Sequence, residues 1–196
     1  MQLNKINFIA LAAGISTLIL VAVSIFFPWW TFTAGTGGNP ADVKVNFSPV
    51  NFNLVVNGAS VAIPLVLALN IACLLTLLAG GIVLTIYSVK PVQPYSKQLL
   101  GFGYKKPLYI LVIFIAELIA IPLAIKAFGG LSFPLGGAAT LQLPQNWSSS
   151  GSSQIISVST ALGWPFYFAI LATALSIAAR FYHRKITVPE AVPPAT

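Results

Sequence analysis

Apolar residues fall into four long, nearly unbroken runs, and the segments between the first and second and between the third and fourth alternate apolar with polar positions. The runs cover about 6–27, 63–88, 107–128 and 162–181. At 1.5 Å rise per residue, ~20 residues cross the hydrocarbon of a bilayer, so each run predicts a membrane-spanning helix. Pro64 and Pro107 fall in the first turns of the second and third runs, where a missing N–H costs nothing. Pro122 should kink the third helix. Lys5 ahead of the first run permits a signal-peptide reading. The run is longer than a typical signal core, however, and no small-x-small cleavage site follows it, so it reads as a retained span.

The segment 29–62 has period-2 character. Val43, Val45 and Phe47 alternate with Lys44 and Asn46, and Phe52 and Leu54 alternate with Asn51 and Asn53. Asn57-Gly58 is a strong hairpin signal, because both residues tolerate positive φ. A strand from Ala59 to about Ala62 would run straight into the second helix. In 129–160, Leu141 and Leu143 alternate with Thr140 and Gln142, and Ile156 and Val158 with Ser157 and Ser159. The expectation is an antiparallel sheet with one face packed and one face wet, fed by both segments. The Ser148–Ser153 tract reads as a flexible tip.

Composition agrees with lipid as the solvent. Hydrophobic residues make up 57% of the 196 positions and charged ones 7%, against roughly 25% charged in soluble domains. The formal charge of +7 arises because acids are nearly absent: three acids stand against ten bases. No basic stripe interleaved with aromatics exists, which excludes a nucleic-acid partner. The bases also sort by position. Lys5, Lys90, Lys97, Lys105, Lys106, Arg180, Arg184 and Lys185 flank one side of the predicted spans, and Lys44 and Lys126 the other. Eight against two places both termini and the 89–106 loop in the cytoplasm.

Candidate chemistry is sparse. Glu117 is the one acid inside a span and should face the bundle interior, since an unpaired carboxylate at mid-bilayer is costly. It can serve as a proton or cation site, or as a hydrogen-bond partner of Asn70, Thr76, Ser16 or Thr17. Asn70 reads as an amide that glues helices together. Small residues spaced by four, such as Ala10 with Gly14 and Ala116 with Ala120, allow close helix approach. Trp29, Trp30 and Trp164 fall near span ends and read as interfacial anchors, with a quinone or lipid slot between them as the alternative. Asn146 begins an Asn-Trp-Ser glycosylation sequon. The single cysteine, Cys73, excludes an intrachain disulfide or a zinc site. One histidine, His183, beyond the fourth span, and a methionine at position 1 leave no ligand pair for haem inside the bilayer. Neither a cofactor nor a catalytic constellation is expected.

Four spans with cytoplasmic termini, Trp29 and Trp30 just after the first, and strands between Val43 and Ala62 resemble the claudin-like tetraspan membrane proteins. The resemblance covers the whole chain in topology and one small motif in sequence. That family's first loop carries a Gly-Leu-Trp and a pair of cysteines, which this chain lacks. The residue usage, rich in Ile, Leu and Ser, resembles that of archaeal membrane proteins. What the resemblance implies is a four-helix bundle carrying an extracellular antiparallel sheet built from both outer loops. The expected organisation is one membrane domain over 1–185, with outer loops 29–62 and 129–160, a cytoplasmic loop 89–106 and a disordered tail 186–196. The expected function is a non-enzymatic scaffold, adhesion protein or accessory subunit in the cell membrane, meeting other membrane subunits or itself. The alternatives are a small transporter or channel subunit using Glu117, and a subunit of a quinone-linked oxidoreductase.

Overall fold

The computed structural model describes residues 6–36, 42–129, 132, 134–142 and 155–187. Helix α1 spans Phe8–Phe26, α2 Pro64–Val89, α3 Ser96–Gly103, α4 Lys105–Gly129 and α5 Trp164–Thr187. Strands β1 (Trp30–Gly35), β2 (Val43–Ser48), β3 (Asn51–Val56) and β4 (Ala59–Val61) lie between α1 and α2. Strands β5 (Gly137–Gln142) and β6 (Ile155–Leu162) lie between α4 and α5. Among the described residues four helices are long and apolar enough to cross a membrane, the third formed where α3 runs into α4.

The helices start where local chemistry says they should. Asn7 caps α1, its side-chain oxygen accepting from the Ala10 N–H at 3.0 Å, which satisfies one orphan donor of the first turn. Pro64 opens α2. In the bundle, α1 packs along both α2 and α5, while α4 touches α2 and α5 over a shorter length. The close approach of α1 and α2 requires glycine. A Cβ on Gly14 would sit 2.8 Å from the Thr85 backbone nitrogen and collide with its hydroxyl.

All six strands form one antiparallel sheet in the order β4-β3-β2-β1-β6-β5. The β3–β4 turn has Asn57 at φ 49° and Gly58 at φ 80°, the positive-φ pair that a two-residue hairpin demands. Register sorts the side chains by face. Trp30 stands opposite Phe47 and Leu162, and Phe47 opposite Phe52, on the face turned to the bundle. Thr31 pairs with Asn46 and Ala161, and Thr33 with Lys44 and Ser159, on the other. The period-2 alternation therefore separates an apolar underside from a polar upper side, with β1 and β6 joining the two chain segments at the sheet's centre.

The turn between β2 and β3 seats the sheet on the helices. Ser48 Oγ donates to the Ser24 carbonyl at 3.0 Å and Asn51 Nδ2 to the Ile25 carbonyl at 2.8 Å. Both acceptors belong to the last turn of α1, whose carbonyls have no partner within the helix. The core beneath is aromatic. Trp29 meets Phe114 edge-on at 5.0 Å, Phe47 lies 5.3 Å from Phe114, and Phe114 lies 5.9 Å from Phe166. Phe114 of α4 thus ties the sheet, α1's exit and α5 into one cluster.

At the opposite end of the bundle a smaller cluster gathers Ala10, Ala13, Leu84, Tyr87, Leu100 and Ala179. Asn7 Nδ2 donates to the Tyr87 hydroxyl at 3.1 Å, and that hydroxyl lies 2.7 Å from Nδ1 of His183. The phenol oxygen accepts from Asn7 and keeps both a lone pair and its hydrogen for the ring nitrogen, so either neutral tautomer of His183 completes the contact. Three helix ends are fastened by this chain of two bonds.

Candidate functional site

Helix α4 presents two adjoining stripes. Ile110, Leu111, Phe114 and Leu118 recur at helical spacing and are buried in the core. Rotated toward α2 is a second stripe of Ile113, Glu117, Ala120 and Ile121, which does not close against its neighbour. Facing it, α2 contributes Val66, Leu69, Asn70 and Cys73, and the underside of the sheet contributes Phe47, Pro49 and Phe52. Together these enclose a slot of about 370 Å³ between α2 and α4, roofed by the β2–β3 turn. Leu69 and Ile113 on the rim are 51% and 47% exposed, so the slot opens sideways, on the perimeter of the bundle.

The roof is held in place by Asn70. With its amide oriented to satisfy both ends, the nitrogen donates to the Pro49 carbonyl at 3.2 Å and the oxygen accepts from the Phe52 N–H at 3.0 Å. Asn70 therefore binds α2 to the sheet turn rather than to another helix. Its burial at 6% exposed fits a group whose hydrogen bonds are internal.

Glu117 stands across the slot from this anchor, half-buried. Glu117 and Cys73 line the same slot from opposite helices. Among the described residues Glu117 makes no hydrogen bond to Asn70, Thr76, Ser16 or Thr17. Thr17 instead donates to the Ala13 carbonyl at 2.8 Å within its own helix. The slot thus holds one committed polar group, Asn70, and one uncommitted carboxyl group, in a lining that is otherwise apolar apart from Cys73.

The three tryptophans take different places. Trp29 and Trp30 are 1% and 2% exposed, enclosed between sheet and bundle. Trp30 Nε1 donates to the Leu135 carbonyl at 3.0 Å. Trp164 is 54% exposed and packs on Phe27 at 5.7 Å. No tryptophan lines the slot. Asn146 lies outside the described residues.

Sequence reasoning marked Glu117 and Asn70 and missed Cys73, Phe47, Phe52 and Pro49 as their neighbours. Cys73 stands three residues after Asn70, hence on the same face of α2, but only the pairing of α2 with α4 gives that face a purpose. Compared with known proteins, the chain matches no protein-family model and no curated relative.

Proposed function

We propose that this chain is an integral membrane protein that crosses the bilayer four times, with both termini in the cytoplasm, and works as a non-enzymatic scaffold, adhesion protein or accessory subunit. Its sheet makes the contacts on the external side. The observation that carries the reading is the sheet's upper face. Asn46, Asn53, Thr31, Thr33, Ser157 and Ser159 offer hydroxyls and amides there with Lys44 as the one charge in its strands. Such a face is cheap to desolvate compared with a charged one, and charged residues are depleted at the cores of protein interfaces.

Orientation rests on charge. Lys97 of α3, Lys105 and Lys106 at the start of α4 and Arg180 near the end of α5 gather at the end of the bundle away from the sheet. Arg180 lies over the Tyr104 ring at 5.6 Å and Lys106 over Phe102 at 4.2 Å, so the basic collar also packs against aromatic rings. An excess of lysine and arginine marks the cytoplasmic side of membrane proteins.

Chemical cross-linking in native membranes, followed by purification in mild detergent, should recover a defined partner or a homo-oligomer. A monodisperse monomer with no interactor overturns the proposal. A tag at residue 196 that is accessible on intact cells overturns the orientation.

A further inference from the structure

We infer that the slot between α2 and α4 is a binding site for an apolar ligand bearing a hydroxyl group, with the hydroxyl placed on Glu117. The slot's volume of about 370 Å³ falls within the range of roughly 300–1,000 Å³ typical of small-molecule pockets. Its composition has the same character: apolar and aromatic walls around a very small number of polar groups. It is also preformed. Asn70 pins the roof through Pro49 and Phe52, and Phe47 is braced against Phe114.

The choice of head group follows from what the walls leave unpaired. The Asn70 amide is spent on the roof. The Glu117 carboxyl group has no hydrogen-bond partner among the described residues, and no lysine, arginine or histidine lines the slot. In apolar surroundings an unpaired carboxyl group is costly in either protonation state. A hydroxyl both donates and accepts, so it pairs with the carboxylate as a donor and with the neutral acid as an acceptor. The remaining walls, Val66, Leu69, Ile113, Ala120 and Ile121, ask only for hydrocarbon. The lateral opening past Leu69 and Ile113 lets such a molecule enter from the lipid without passing through water. A prenol, a sterol or a long-chain phenol has this chemistry.

The inference stands whether or not the sheet meets a partner, and its test reads binding directly. The full chain in lipid nanodiscs is irradiated with a diazirine-bearing farnesol and, separately, with the hydrocarbon analogue that carries hydrogen in place of the hydroxyl. The alcohol should label peptides covering 66–73 and 113–121, and the hydrocarbon should label them about three- to tenfold less, the loss expected for one hydrogen bond. Glu117→Leu should reduce labelling by the alcohol to the level of the hydrocarbon, while Glu117→Gln, which keeps a donor and an acceptor, retains it. Ala120→Trp fills the slot and should abolish labelling at both peptides. Equal labelling by alcohol and hydrocarbon overturns the role of the hydroxyl. Undiminished labelling of Ala120→Trp, or labelling confined to other helices, overturns the slot. If either variant fails to fold, the two probes on the unaltered chain still decide between recognition of the hydroxyl and plain partition into lipid.

Discussion

The indole N–H of Trp29 donates to the Ser24 hydroxyl at 2.7 Å, and that hydroxyl donates in turn to the Leu20 carbonyl at 2.6 Å. A residue just past the end of α1 is thereby folded back onto the helix it has left. Its ring then lies against Phe114 of α4. Ser24→Ala removes the acceptor and leaves a buried N–H unpaired, which costs about 1–3 kcal/mol. Trp29→Ala leaves a cavity between sheet and bundle and costs about 3–5 kcal/mol. Thermal unfolding in detergent, followed by tryptophan fluorescence or by loss of the monodisperse peak, should rank Trp29→Ala below Ser24→Ala and both below the unaltered chain. Equal midpoints for all three would show that the indole does not hold the sheet to the bundle.

Asn70 predicts a local effect rather than a global one. Its oxygen accepts from the Phe52 N–H, so that amide should exchange slowly with solvent deuterium despite lying beside a turn. Asn70→Leu keeps the apolar bulk and removes both bonds. Exchange at Phe52 should then accelerate by roughly an order of magnitude, from a loss of about 1–2 kcal/mol of local protection. Amides in the β1–β6 pair, further along the sheet, should be unchanged. Uniform acceleration across all strands would mean that Asn70 supports the whole sheet instead of its turn.

The α1–α2 interface sets a steric limit. Gly14 has no room for even one added carbon, because the Thr85 backbone cannot move without shifting α2. Gly14→Leu should force the helices apart and abolish a stable monodisperse protein, well beyond the about 1–3 kcal/mol that ordinary overpacking costs. Gly101→Leu, at a position with open space around it, should be tolerated and serves as the control. A well-behaved Gly14→Leu protein would show that α1 and α2 are not held at this distance.

Helices were legible in the sequence because nothing competes with a long apolar run except a membrane span, and Asn57-Gly58 announced its hairpin for a reason as local. What escaped was β1, the strand at the sheet's centre. Trp30, Phe32 and Ala34 alternate with Thr31 and Thr33, which is a strand signal. Two tryptophans directly after a span, however, also satisfy the rule for interfacial anchors, and the pattern alone does not arbitrate between them. The short helix α3 was hidden by Gly101 and Gly103, whose propensities oppose it; Gly103 is there because Leu84 of α2 comes within 2.9 Å of where its Cβ would be. At the slot, Glu117 stood out as the lone acid of its run. The partners of Asn70 did not, because they depend on the β2–β3 turn landing over α2, a tertiary fact that no local spacing encodes.

The sheet's upper face gives the prediction closest to function. Ala161 is exposed on β6, opposite Thr31, at the end of the strand next to α5, on the face whose strands carry Lys44 as their one charge. A carboxylate at that position meets water in the isolated protein, so Ala161→Glu should change stability by no more than about 0.5 kcal/mol. In a complex formed over this face the same carboxylate is buried without a cation, since Lys44 is paired across to Thr33 in the next row and does not lie opposite position 161. Burying an unpaired charge at an interface costs several kcal/mol, equivalent to a loss of affinity of more than a hundredfold. Ala161→Glu should therefore purify with an unaltered melting temperature while losing the partner or the oligomer that the unaltered chain retains. Charge placed instead at Tyr109, which is half exposed on the outer surface of α4 near the basic end, should leave that association intact. If Ala161→Glu still recovers the full complex, the contacts are made elsewhere on the molecule.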